Sequence, residues 1–233
     1  MEQLVKQTMI ISLIAQAITT IVGIWGFYIK LDKKHLILKD VLVLDTVVQI
    51  IESSMYLWIF FAVTNYSIMV RRRYIDWFIT TPIMLVSTII YMKYNTYIDK
   101  GNENTLTLKE FFKEEAKSIS IIVILNVLML LFGYLGETRI INKSLSIIIG
   151  FVLFFINFKL IYKYVDGNKK NKKMFYFVFI VWSLYGVAAL FNDVYKNISY
   201  NMLDIVSKNF YGIYIFYIIL KLAKPNEQLN LNN

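Results

Sequence analysis

A lysine set deep in an apolar run is the first residue of this chain that could do chemistry. The segment YNMLDIVSKNFYGIYIFYIILK places Lys208 about nine residues, or roughly 13 Å of helix, from its polar start. That is too deep for the side chain to reach an interface easily. Asp204 lies four residues earlier, on the same helical face. A charge at mid-membrane costs roughly 2.5–3.5 kcal/mol, so function or pairing must keep it. Two uses fit this pair: a structural ion pair, or a desolvated amine kept for imine formation with an aldehyde. A second segment, RRRYIDWFITTPIMLVSTIIYM, carries Asp76 and Thr80 four apart, with Arg73 a turn before Asp76 and with Thr81 and Ser87 as further hydroxyls. Asp76 and Asp204 can therefore converge on one buried cation with an arginine nearby, which holds a protonated imine in its charged form. Pro82 marks a local kink whose freed carbonyls the threonines can occupy. On another segment Asp45, Gln49, Glu52 and Tyr56 follow at steps of four, three and four. This polar face can line a water-filled path for cations, or it can form a hydrated contact between helices.

The elements that must position these residues follow from composition. The chain has 233 residues, 58% of them hydrophobic, with a mean hydropathy of +0.55. Seven stretches are long and apolar enough to span a bilayer, near 8–29, 41–64, 74–92, 118–136, 144–164, 174–194 and 199–221. The expected fold is an all-α membrane protein, a seven-transmembrane-helix bundle over residues 1–224, with a polar cytoplasmic tail at 225–233. No run fits a cleavable signal peptide. The chain lacks cysteine, which excludes disulfides, thiolate nucleophiles and cysteine metal sites. The single histidine, His35, sits in the basic loop DKKHLILKD and reads as solvated.

The net charge of +9 is explained by topology, and no nucleic-acid partner is expected. Lysines crowd alternate loops: Lys30, Lys33, Lys34 and Lys39; Lys93, Lys100, Lys109, Lys113 and Lys117; Lys163, Lys169, Lys170, Lys172 and Lys173, with Arg71–Arg73 a local exception. The positive-inside rule then places the amino terminus outside. Residues 93–104 read as a polar connection. The following LTLKEFFKEEAK fits either a short amphipathic surface helix between the third and fourth helices or the start of the fourth; the surface helix is the expectation adopted.

With these residues in view, the chain resembles the microbial rhodopsins. R-Y-x-D-W-x-x-T-T-P is present as Arg73, Tyr74, Asp76, Trp77, Thr80, Thr81 and Pro82. W-S-x-Y is present as Trp182, Ser183 and Tyr185, L-D-x-x-x-K as Leu203, Asp204 and Lys208, and M-Y-L as Met55, Tyr56 and Leu57. Four motifs stand in order on four helices and extend over the whole bundle. The resemblance implies all-trans-retinal as cofactor, joined to Lys208 as a Schiff base. Asp76 is then the main counterion and proton acceptor and Asp204 the second, supported by Arg73 and Thr80. Trp77, Thr81, Tyr56, Trp182 and Tyr185 would wall the polyene, with Met129 and Gly133 at the ring end. Met84 stands where the family tunes colour, which suggests green absorption. Two positions depart from the pattern: Gly186 stands where a proline is usual, and the sixth connection offers Asp193 but no pair of glutamates.

The same resemblance frames the choice of activity. Outward pumps of the family commonly carry a carboxylate eleven residues after the counterion, whereas position 87 is serine, which cannot supply a proton at neutral pH. Glu52 on the second helix and Asn209 directly after the lysine resemble the central gate of channelrhodopsins. The first-helix hydroxyl of that gate would be Thr19 or Thr20, with Ser12 a weaker choice, and Thr81 could pair with Asn126. The leading reading is a retinal-binding photoreceptor acting as a light-gated cation channel, with ions passing Asp45, Gln49 and Glu52. An outward proton pump is the alternative and a sensory photoreceptor the third; no enzyme activity is expected. The lysine- and asparagine-rich chain also looks like the rhodopsins of giant algal viruses, which implies a multi-pass protein of a host cell membrane. The expected partners are the lipid bilayer, small cations or protons, and further copies of the chain in a homo-oligomer.

Overall fold

Polar side chains recur every fourth residue along the first helix and face inward. Ser12 and Gln16 are fully buried while Ile14, Ile18 and Ile21 are 54–67% exposed. A helix in water does the reverse; a helix in lipid places its apolar side outward because hydrocarbon is its solvent. The computed structural model describes residues 2–62, 65–101 and 105–223. The helices are α1 Glu2–Tyr28, α2 Ile37–Ala62, α3 Tyr66–Asp99, α4 Leu108–Glu137, α5 Lys143–Tyr162, α6 Lys169–Ala188 and α7 Asp193–Leu222. No strand occurs among the described residues. Sequence neighbours pack against each other and α1 also packs on α7, which closes the bundle. Among the described residues, five helices are long and apolar enough to cross a membrane; the polar face of α2 and the lysine-rich start of α6 keep those two below that mark. The expected tail at 225–233 lies outside the described residues.

Helix starts follow their caps. Asn65, Asn142, Asn168 and Asn192 each accept a hydrogen bond from a first-turn amide, supplying partners that the helix itself cannot. Thr107 and Glu110 form a reciprocal capping box. That box corrects the expectation of a separate surface helix. The segment after Thr107 is the opening of α4, which runs unbroken from Leu108 to Glu137 with no proline to interrupt it. Phe111, at the head of the segment, is fully buried in the core. The polar stretch after the third helix is corrected as well. α3 continues to Asp99 because Tyr94 and Asn95 are held by tertiary bonds, Tyr94 to His35 and Asn95 Nδ2 to Asn171 Oδ1 at 3.0 Å. Gly186 leaves α6 continuous and takes the ring of Phe151 against its backbone.

His35 departs from its solvated reading. It lies in a short 3-10 turn, Lys33–His35, is only 8% exposed, and its Nδ1 is 2.7 Å from the Tyr94 hydroxyl. Burial first, and Lys34 second, hold its pKa below the usual histidine range, with Asp32 pulling weakly the other way. The folded state thus prefers neutral His35. Its contribution to stability is complete above the unfolded pKa of about 6.5 and is lost as pH falls through the lowered folded value. The expected result is that amide protection around the α1–α2 turn, after allowance for the intrinsic pH dependence of exchange, falls on acidification below about pH 6, and that His35→Gln removes this fall.

One turn of α7 is irregular. Ile205–Asn209 forms a π turn, with ordinary helix on both sides at Asp193–Asp204 and Phe210–Leu222. Lys208 lies in it.

Candidate functional site

Lys208 is 2% exposed, and its Nζ finds three carboxylates, one for each hydrogen it can donate. The distances are 2.6 Å to Glu52 Oε1 on α2, 3.2 Å to Asp204 Oδ1 on α7 and 3.4 Å to Asp76 Oδ2 on α3. Asp76 and Asp204 do converge on the amine, but Glu52 is the nearest acid. Asp204 is held from four sides: Tyr56 at 2.6 Å, Tyr185 at 2.7 Å, Arg73 at 3.2 Å and Lys208 all donate to it. Four donors leave no room for a carboxyl hydrogen, so this site favours the carboxylate.

Arg73 anchors the other side of the cluster. Its guanidinium donates to the Tyr56 hydroxyl at 2.9 Å, to Asn197 Oδ1 at 3.4 Å and to Asn201 Oδ1. Asn201 in turn donates to Thr8 on α1 at 2.8 Å. The Thr80 hydroxyl donates to the main-chain carbonyl of Asp76 at 3.0 Å, and Asp76 Oδ1 has no partner. Thr80 therefore buttresses the α3 backbone at Asp76.

A cavity opens from Lys208 between α3, α4, α5 and α6. Trp77, Thr81, Met84, Met129, Gly133, Trp182 and Tyr185 line it, all expected there; Tyr56 does not, being engaged with Arg73 and Asp204. A Cβ at Gly133 would lie 2.8 Å from the Tyr74 hydroxyl, so glycine keeps this wall thin. The walls are mostly apolar and aromatic, with the Lys208 amine at one place and Glu137, Lys143 and Ser146 at another; the acids that meet Nζ lie behind the amine and do not line the cavity. The cavity fits an elongated apolar molecule that ends in an aldehyde, since such a molecule leaves no polar atom unpaired along the walls.

On the other side of Lys208 lies a file of buried polar groups. Asn209 Nδ2 donates to Gln49 Oε1 at 2.8 Å and to Thr19 Oγ1 at 3.1 Å; of the first-helix hydroxyls, Thr19 is the one that meets it. Asp45 is seated against Gly212, where any side chain would overlap its carboxylate. Asn126 Nδ2 donates to Thr81 Oγ1 at 2.6 Å, tying α4 to α3. Ser87 lies apart, paired with the Tyr211 hydroxyl at 3.0 Å.

Several partners are absent from the sequence reading. Asn197 and Asn201 fall at steps of four and three before Asp204, a spacing that could have found them. Lys196 is 1% exposed and is gripped by both oxygens of Glu137 at 2.8 Å, with Asp193 at 3.3 Å. Only the Asp193 contact is local in sequence.

Comparisons with known proteins bear on the family and the fold. A family model described as bacteriorhodopsin-like protein matches residues 7–222. No curated protein matches the chain in sequence. Among solved structures, the viral rhodopsin OLPVRII superposes with a TM-score of 0.83 at 25% identity, covering 95% of this chain and 100% of its own. The Exiguobacterium sibiricum rhodopsin gives 0.73 at 18% identity over 94% and 97% of the two chains. Xanthorhodopsin, described as a light-driven ion pump with dual chromophore, gives 0.70 at 15% over 93% and 92%. The chain belongs to the bacteriorhodopsin-like family of integral membrane proteins, whose cofactor is retinal.

Proposed function

We propose that this chain is a light-gated cation channel with retinal attached at Lys208 Nζ. Retinal, once bound, supplies the absorption of light and the change of shape that displaces that nitrogen. Trp77, Trp182, Met84, Met129 and Gly133 would hold it along the cavity and exclude water from it. Glu52, Asp76 and Asp204 keep Nζ charged in the dark by surrounding it with acceptors. The orientation that fits the lysine distribution puts the α1–α2, α3–α4 and α5–α6 connections in the cytoplasm.

The contact between Glu52 and Nζ carries the reading. Glu52 bonds the light-sensitive nitrogen and follows Gln49 by three residues on the same face of α2, which sets it beside the polar file of Gln49, Asn209, Thr19 and Asp45. Displacing Nζ frees Glu52 Oε1, and the Gln49–Asn209–Thr19 bonds that close the file lose their neighbour. Water then has a continuous set of polar walls between α1, α2 and α7, and cations follow along the acidic side chains. Asp76, whose Oδ1 is unpartnered, is placed to take the proton from Nζ. That feature also suits an outward proton pump, which is the second reading.

Voltage clamp under illumination separates the two. A channel current reverses with the ion gradient; a pump current keeps its direction at zero driving force. In the channel, Glu52→Ala is expected to shift the reversal potential between cations or to produce a leak in the dark. Photocurrents identical to wild type would remove Glu52 from the gate.

A further inference from the structure

Two arginines are explained neither by the site nor by the distribution of lysines. Arg71 and Arg72 lie in the second turn of α3, at the end of the bundle opposite the lysine-rich connections. Arg73, Lys93, Lys100, Lys196 and Lys208 each meet a carboxylate. Arg71 and Arg72 meet none among the described residues, and Arg71 Nε and Arg72 Nη1 are buried without an acceptor. A donor shut away from water with no acceptor costs the full desolvation of that group. These two side chains therefore call for an anion that the chain itself does not supply.

Their surroundings describe that anion. Ile68, Arg71, Arg72, Ile75 and Phe78 follow at steps of three, one, three and three, which sets them along one stripe of α3. Ile68 and Ile75 are exposed, so the stripe faces the hydrocarbon around the bundle. Tyr134 of α4 closes one side and leaves a groove of about 210 Å³. Arg71 lies five residues after Tyr66, roughly 8 Å along the helix, so its side chain reaches the headgroup layer. The Trp58 ring holds the Arg72 guanidinium in place from 4.1 Å. Two guanidinium forks side by side match the oxygens of a phosphate. Deeper in the groove Ile75 and Phe78 offer only apolar surface. Among the described residues no carboxylate lines it, so a headgroup that carries its own ammonium would leave that cation unpaired. We propose that this groove binds an anionic phospholipid, with its phosphate between Arg71 and Arg72 and one acyl chain along Ile75 and Phe78.

The inference goes beyond the retinal site and does not depend on it. The test uses the full chain in neutral detergent, with bound lipid counted by native mass spectrometry. One phosphatidylglycerol is expected to bind at about tenfold lower concentration than phosphatidylcholine of the same acyl chains, and excess inorganic phosphate is expected not to displace it. Arg71→Gln/Arg72→Gln is expected to abolish this preference. Lys169→Gln/Lys170→Gln removes the same charge at the opposite end and is expected to keep it. Phosphatidylglycerol with a photoreactive acyl chain is expected to label the wild-type protein within residues 75–78 or at Tyr134, which carries the test if the arginine variant does not fold. Equal binding of the two lipids, a preference that survives Arg71→Gln/Arg72→Gln, or the same loss in both double variants overturns the assignment. So does displacement by phosphate alone, labelling confined to other helices, or a dimer that needs both arginines and excludes the lipid.

Discussion

Lys208→Ala leaves the protein colourless when retinal is added, at any concentration of the aldehyde. The cavity can still admit an apolar molecule, but no amine remains at its end to bind it covalently. The second consequence is electrostatic. Nζ is the shared partner of Glu52, Asp76 and Asp204, and removing one member of a buried charge cluster costs about 3–5 kcal/mol. Lys208→Arg separates the two effects. It keeps the positive charge but not the nucleophilic amine, so it is expected to be equally colourless yet more stable to heat in detergent than Lys208→Ala. Absorption spectra with and without retinal, and thermal unfolding of the retinal-free proteins, check both statements. A visible band in either variant would detach the chromophore from this residue.

Arg73→Met is expected to be the most destabilising substitution away from the lysine itself. Arg73 is 2% exposed and joins α3 to Tyr56 of α2 and to Asn197, Asn201 and Asp204 of α7. Methionine fills the volume but leaves Asp204 with one cation and leaves the Asn197 and Asn201 carbonyls without their donor. The expected loss is about 3–5 kcal/mol, read as a lower midpoint for thermal bleaching of the loaded protein. Arg72→Met is the contrast. Its guanidinium stacks 4.1 Å from the centre of the Trp58 ring, and its loss should cost only about 0.5–1 kcal/mol. Equal midpoints for the two variants would contradict the network assigned to Arg73.

Much of this arrangement is legible in the residues alone. Asp76, Asp204 and Lys208 announce themselves because charge inside an apolar run needs a reason, and helical spacing supplies the faces on which they meet. Asp45, Gln49 and Glu52 are readable for the same reason. What spacing does not carry is the contact between helices. That Glu52 lies nearer Nζ than Asp76 does depends on how far α2 and α3 are offset along their axes. The extent of α3 was hidden because Tyr94, Asn95 and Asp99 look like loop until His35, Asn171 and Asn168 are seen to hold them. Thr8, Ser12 and Gln16 repeat at four-residue intervals, an interval that could have marked the inward face of α1 and was not used. Lys196 gave less warning, since Glu137 lies on a distant helix.

The wide turn at Ile205–Asn209 makes α7 two screws of different phase, joined at the lysine. One additional residue in a turn rotates everything beyond it by about 100°. Three consecutive side chains, Ser207, Lys208 and Asn209, are consequently all interior, which a regular helix cannot arrange on one narrow face. Each then serves a different neighbour: Tyr185, the acids, and the pair Thr19 and Gln49. Tightening that turn to ordinary pitch would swing Phe210–Leu222 as a block and carry Gly212 away from Asp45, so the helix contains its own clutch between the two halves of the membrane.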